Sequence, residues 1–236
     1  MYKEIWNYIY PRRCPVCMDI LEEQKTMVCP ACFKKIKQVR QPYCFKCGKP
    51  LLNERQEYCY DCERRAHIFD RGFSLVEYDA VTSPSIMAIK YKNKREFVEF
   101  YSRLSKILYQ DILSSQRFDA IIPVPVSRKK RRIRGYNQAR IFADGISGWL
   151  HVPVKENLLL RKKDTAPLKK LTPEDRRKEL LECFSWEKKH YEGERSVLLV
   201  DDIYTSGATA DACALILKKH GIKKVFLLTI AIGRGI

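Results

Sequence analysis

The run Val197-Leu198-Leu199-Val200-Asp201-Asp202-Ile203-Tyr204-Thr205-Ser206-Gly207-Ala208-Thr209 leaves the chain little choice of architecture. Four branched apolar residues read as a short strand buried on both faces. Two carboxylates stand at its C-terminal end, and a Thr/Ser/Gly loop follows. A helix then opens near Ala208, with Ala212, Leu215 and Ile216 on one side, Lys218 and Lys219 in the last turn and Gly221 as the stop. In an open α/β sheet, ligands sit beyond the carboxyl ends of the strands. N–H groups at a helix N-terminus, with hydroxyls beside them, favour an anion. Adjacent acids suit the hydroxyls of a sugar, directly or through Mg²⁺. The competing reading is a plain strand–turn–helix capped by Asp202 or Thr205. The acid pair alone would leave that reading standing, whereas the whole run disfavours it.

The rest of the C-terminal part alternates in the same way. Arg71 to Tyr78 reads as an opening strand, and Ser83-Pro84 as an N-cap with a first-turn proline opening a helix that ends in the basic run Lys90 to Arg95. Phe97, Phe100, Tyr101, Leu104, Leu108 and Ile112 form a helical core stripe. Phe118 to Pro123 is another buried strand, and Lys224 to Ile232 closes the series. This alternation predicts a mostly parallel sheet with helices on both faces. After Pro123-Val124-Pro125-Val126-Ser127, a stiff turn, six of the seven residues Arg128 to Arg134 are basic. Arg134-Gly135-Tyr136-Asn137-Gln138-Ala139 then opens a helix with Phe142, Ile146 and Trp149 on one side.

The N-terminal part is organised by cysteines. Cys14/Cys17, Cys29/Cys32, Cys44/Cys47 and Cys59/Cys62 are four C-x-x-C pairs repeating every fifteen residues. Two such knuckles complete a closed tetrahedral zinc site with no open position, so the metal is structural. The short helix expected over Phe33 to Val39 favours sequential ribbons, although a cross-braced pairing of the first pair with the third fits the spacing too. Residues 1–66 are thus expected to form a double ribbon dependent on metal, and 67–236 the α/β domain. Cys183 and Cys213 read as buried free thiols, and His67, His151, His190 and His220 as surface residues.

The formal net charge is +17. Binding two zinc ions through eight thiolates would lower it to about +13, which still attracts polyanions. No apolar run is long enough to span a membrane, and the N-terminus lacks a signal-peptide core, which predicts a cytoplasmic protein. Neither a P-loop nor a Ser-His-Asp constellation is recognisable.

The Val197–Thr209 run resembles the phosphoribosyl pyrophosphate motif of type I phosphoribosyltransferases. The resemblance implies that Asp201 and Asp202 hold the ribose hydroxyls and that Ile203, Thr205, Ser206, Gly207, Ala208 and Thr209 hold the 5′-phosphate. Val126, Ser127 and Arg128 would steady the pyrophosphate. The basic segment Lys129, Lys130, Arg131, Arg132 and Arg134, with Tyr136, Asn137 and Gln138 following, would be a flexible loop that closes over the leaving group and excludes water. A solvated basic loop with no closing role is the alternative.

Pro-x-Pro, the basic loop, Arg-Gly-Tyr-Asn-Gln-Ala, the Asp-Asp run and the double ribbon together are similar to the ComF (ComFC) family. That family is associated with DNA uptake in naturally competent bacteria. The resemblance implies Mg²⁺ with phosphoribosyl pyrophosphate or a related sugar phosphate, single-stranded DNA, and other competence proteins such as a DNA-translocating helicase as partners. Lys90 to Arg95 and the Arg128 to Arg134 loop would contact phosphates, and Tyr43, Phe45, Tyr58 and Tyr60 would stack on bases. The chain departs from the family pattern at Leu168, where Gln is usual, and Glu179, where Asn is usual; Arg161, Thr165 and Leu171 conform, and Thr172-Pro173-Glu174-Asp175 reads as a helix start. A DNA-handling protein with a phosphoribosyl site is the first reading. The second is an active phosphoribosyltransferase of unknown acceptor, and a ligand-sensing regulator has no helix-turn-helix to support it.

Overall fold

The structure, a computed structural model, describes residues 11–22, 26–163 and 182–233. Thr165, Leu168, Leu171, Glu179 and the helix start expected at Thr172–Asp175 lie outside them.

The ribbons come first. Each has a short helix rich in charge, α1 (Pro30–Lys35) and α2 (Tyr60–Arg64), carrying its last C-x-x-C cysteine. The α/β part follows as β1 (Arg71–Glu77), α3 (Ser83–Tyr91), α4 (Phe97–Ser114), β2 (Ala120–Pro123), α5 (Arg128–Arg134), α6 (Gln138–Leu150), β3 (Leu159–Arg161), β4 (Phe184–Trp186), β5 (Ser196–Tyr204), α7 (Ala208–Lys219) and β6 (Lys224–Ile232). Four strands form one sheet in the order β1-β6-β5-β2, every pair parallel; β3 and β4 form a separate antiparallel pair.

The hydrophobic runs explain why this sheet is covered on both sides. Val197 to Val200 are buried without a break, as is Val225 to Ile232. β1 shows five consecutive buried residues rather than an alternation, as expected of strands between two helical layers. Helices α4 and α6 pack on each other, with α6 against β2 and β5. A Cβ at Gly145 of α6 would come within 2.1 Å of the Ser102 Oγ of α4, so glycine permits that approach. α7 packs on β6 and β4.

Two aspartates set the strand starts. Asp119 accepts the N–H groups of Arg195 and Ser196 at 2.7 and 2.8 Å, which fixes β2 beside β5 and lowers its pKa. Asp70 accepts the Val225 N–H at 2.7 Å and meets Lys218.

The ribbons are fused to this frame. Cys44, Cys47, Cys59 and Tyr43 belong to the main core, whereas Cys14, Cys32 and Leu21 form a small cluster of their own. Gly72 N–H donates to Lys46 O at 2.7 Å, and a Cβ on Gly48 (φ +76°) would sit 2.8 Å from Gly72 O. Lys37 to Val39 run along β1: Val39 N–H donates to Leu75 O, and Glu77 N–H to Lys37 O.

Several expectations are corrected here. His67 is buried rather than on the surface; His220 is exposed, as expected, and stacks on Trp186 with ring centroids 4.9 Å apart. Tyr43 is 4% exposed, edge-on to Phe73 and Tyr109, and so cannot stack on a base. Cys183 and Cys213 are buried and take part in no disulfide, as expected.

Candidate phosphate cradle and metal centres

β5 does not stop at its acids but continues to Tyr204. Successive strand residues face opposite sides of a sheet, and the two aspartates accordingly have different surroundings. Asp201 is partly exposed and lines a cavity of about 140 Å³ with Ile203, Thr205, Ser206, Gly207, Ala208, Thr209 and Thr229. Asp202 is 6% exposed. Its carboxylate pairs with Lys90 Nζ at 3.0 Å and accepts from Gln138 Nε2 at 2.5 Å. The picture of two acids at one solvent-facing strand end is therefore wrong for Asp202, and Lys90 is committed to an ion pair. Burial, then the Asp202 charge, pushes the Asp201 carboxyl up to about 7, against the pull of the Asp202 N–H, Lys90 and Arg161.

The cavity closes on the N-terminus of α7. Gly207 is the N-cap residue, left-handed at φ +74°, with no side-chain cap bond. Neither Asp202 nor Thr205 caps the helix. First-turn N–H groups lack intrahelical partners, so with the Thr205, Ser206 and Thr209 hydroxyls they form a cradle sized for a phosphate.

The basic segment is a helix, not an open flexible loop. The Ser127 hydroxyl accepts the Lys130 N–H at 3.3 Å, and Gly135 at φ +79° ends the helix. Ser127 is buried in this capping role. Arg131 pairs with Glu156 at 3.3 Å. Arg134 donates to Gln138 Oε1 at 2.9 Å and lies over Tyr91. Asn137 caps α6 through Ala139 N–H and donates to Val124 O, both at 3.1 Å. Tyr136 donates to Ile89 O and carries Arg95 over its ring. Arg-Gly-Tyr-Asn-Gln-Ala thus holds α3, β2 and Asp202 in register. Val126, Arg128, Arg131, Asn137, Arg161 and Ser185 line a second cavity of about 260 Å³.

The thiols fall into two groups, Cys14/Cys17/Cys29/Cys32 and Cys44/Cys47/Cys59/Cys62, which is the sequential arrangement. Sulfur separations are 3.5 Å for Cys14–Cys29, 3.7 Å for Cys17–Cys29 and 3.6 Å for Cys47–Cys59. A tetrahedral Zn–S₄ centre has edges of about 3.8 Å. Both donor sets fit structural zinc.

Sequence reading assigned Lys90 to phosphate contact and His67 to the surface, and gave Tyr204 and Asp211 no role. The signal for Asp211 was a lone acid among alanines in the first turn of an apolar helix; His67 offered none beyond its place five residues after Cys62.

These features define an α/β chain of phosphoribosyltransferase-like fold fronted by a double zinc ribbon. Residues 5–63 match the double zinc ribbon domain family. The chain is a homologue of the competence proteins F and ComFC. It is 33% identical over 149 residues to competence protein F of Haemophilus influenzae, covering 60% of this chain and 64%, less than two thirds, of that protein. It is 28% identical to DNA utilization protein YhgH of Escherichia coli (strain K12), over 66% of this chain and 70% of that one. Competence protein ComFC of Bacillus subtilis is 25% identical over 63% of this chain and 58% of its own. Among the described residues no helix is long and apolar enough to cross a membrane.

Proposed function

We propose that this protein acts in DNA uptake, handling single-stranded DNA while binding phosphoribosyl pyrophosphate or a related sugar phosphate. The observation that carries the reading is the cradle Thr205–Thr209, closed by a side-chain-free N-cap and overlooked by Asp201. The first-turn N–H groups and hydroxyls hold the 5′-phosphate, and Asp201 meets the ribose. Asp202, neutralised by Lys90, sets the strand end rather than contacting sugar. Magnesium, bound with the diphosphate, supplies charge neutralisation at the leaving group. The relatives' names support the DNA role, as does the net charge of +17. On the second ribbon Phe45, Tyr58 and Tyr60 are exposed, with Arg64 3.9 Å above the Tyr60 ring, a surface suited to stacking bases.

Retained transfer to an unidentified acceptor is the second reading. The cavity lined by Val126, Arg128 and Arg161 favours it, since it offers cations for a diphosphate, and the Arg161 charge is felt at Asp201. Calorimetric titration with phosphoribosyl pyrophosphate, with and without Mg²⁺, tests the site. Saturable Mg²⁺-dependent binding lost in Asp201→Ala is expected, and no binding by the wild type overturns it. Release of pyrophosphate in the presence of candidate acceptors separates the second reading from the first.

A further inference from the structure

The His67 side chain is enclosed beside the cradle, with an exposure of 1%. It comes from the segment joining the second ribbon to β1, five residues after Cys62. Its Nδ1 lies 2.8 Å from Asp211 Oδ2, and its Nε2 lies 3.2 Å from the Tyr204 hydroxyl. The ring stacks on Phe69 at 4.9 Å. Burial pushes the Tyr204 hydroxyl up from its usual range, so it stays protonated and donates. One tautomer then serves both neighbours: Nδ1–H donates to Asp211 and Nε2 accepts from Tyr204. Ile68 N–H completes the set at 2.7 Å from Asp211 Oδ1.

The two partners bracket the cradle. Tyr204 is the last residue before Thr205, and Asp211 sits in the first turn of α7. Between them, a Cβ at Gly207 would lie 2.7 Å from His67 Cε1 and 2.7 Å from the Tyr204 hydroxyl. The loop is thus pressed against the imidazole with no slack. Asp211 would otherwise repel an anion at this helix end; the His67 and Ile68 N–H groups turn its charge inward. On the other side of Tyr204, Thr205 and Ser206 lies a cleft of about 610 Å³ whose far wall is Cys47, Tyr60, Arg64 and Arg65 of the ribbon.

We propose that His67 is a positioning residue for the phosphate cradle, and that through it the shape of the cradle depends on the second zinc ribbon being folded. The inference rests on reading Thr205–Thr209 as the phosphate site, but its test does not require a ligand. Amide hydrogen exchange of Asp211 and Gly233, whose N–H groups bond to Gly207 O and Tyr204 O at the two ends of the cradle, is measured in the full-length protein for wild type, His67→Ala, His67→Asn and Tyr204→Phe.

Exchange of those amides should rise about tenfold in His67→Ala, the size expected for losing a buried hydrogen bond. Amides of α4 and α6 should be unaffected. His67→Asn, whose amide still reaches Asp211, should recover part of the protection, and Tyr204→Phe should lose part of it. Partial removal of metal from wild type, at a chelator level that leaves the α4 and α6 amides protected, should raise exchange at Asp211 and Gly233 as His67→Ala does. Unchanged exchange in folded His67→Ala overturns the proposal. If that variant fails to fold, His67→Asn and Tyr204→Phe decide it: graded rises support it, wild-type exchange overturns it. Raised exchange together with no binding of phosphoribosyl pyrophosphate by wild type would leave the coupling standing and remove the ligand reading.

Discussion

Lys90 Nζ lies 3.0 Å from Asp202 Oδ1, inside the molecule and on the opposite side of β5 from the Asp201 cavity. Two acids adjacent in sequence therefore do separate work. Asp202→Ala leaves the Lys90 charge buried (side chain 16% exposed) and should cost about 3 kcal/mol in denaturant unfolding. Replacing both partners, Lys90→Met with Asp202→Leu, should recover most of that loss. Asp201→Ala should not destabilise the fold near neutral pH, because burial already opposes the charge it removes, while it should abolish sugar-phosphate binding. Equal stability losses for the two alanine variants would contradict this division.

Asp201 also leaves a signature in pH. Its folded pKa of about 7 lies above the ordinary aspartate value of 3.8. Between those values the folded state holds a proton that the unfolded chain has lost, so stability declines as pH rises from about 4 through 7. Asp201→Asn should remove that decline and raise the unfolding midpoint at pH 8 relative to wild type. Identical midpoint changes between pH 5 and pH 8 in both proteins would falsify the assignment.

Metal analysis should find two zinc ions per chain, but the two sites should differ in consequence. Cys47 is part of the main core, whereas Cys14 and Cys32 lie in their own small cluster. Cys47→Ser should lower the melting temperature of the whole fold; Cys32→Ser should unfold the first ribbon and leave the main transition near its wild-type position. Calorimetry separates the two.

Single-stranded DNA should bind with a salt slope of roughly −0.7 per phosphate contact. Arg131 and Arg134 are engaged with Glu156 and Gln138, so Lys129, Lys130 and Arg132 are the better candidates on α5. Neutralising all three should flatten the slope by about 2 if each makes one contact. An unaltered slope would move the DNA surface to the ribbon aromatics.

Much of this was legible because it depends on local pattern. Buried runs such as Val197–Val200 announce parallel strands, and four evenly spaced knuckles announce two metal centres. The start of α7 at Ala208 was legible too, although its N-cap, Gly207, was not. What was not legible depends on meetings across long sequence separations. His67 meets Asp211 across 144 residues and Gln138 meets Asp202 across 64; no spacing rule encodes either. Arg128 to Arg134 was misread for a different reason. Charge density argued for a flexible closing loop, but Ser127 at one end and Gly135 at the other supply the cap and stop of a helix.

Lys37 to Val39 pair with β1 where the sheet ends, and the other margin, at β2, bonds to the chain near Val154. In terms of how copies of this chain meet one another, the ribbons are an edge guard. A strand with five consecutive buried residues and an open row of N–H and C=O groups is a template on which a second chain adds. Metal loss therefore does more than loosen a small domain: it uncovers β1, and the demetallated protein should gather into β-rich aggregates rather than persist as a monomer with its sheet intact.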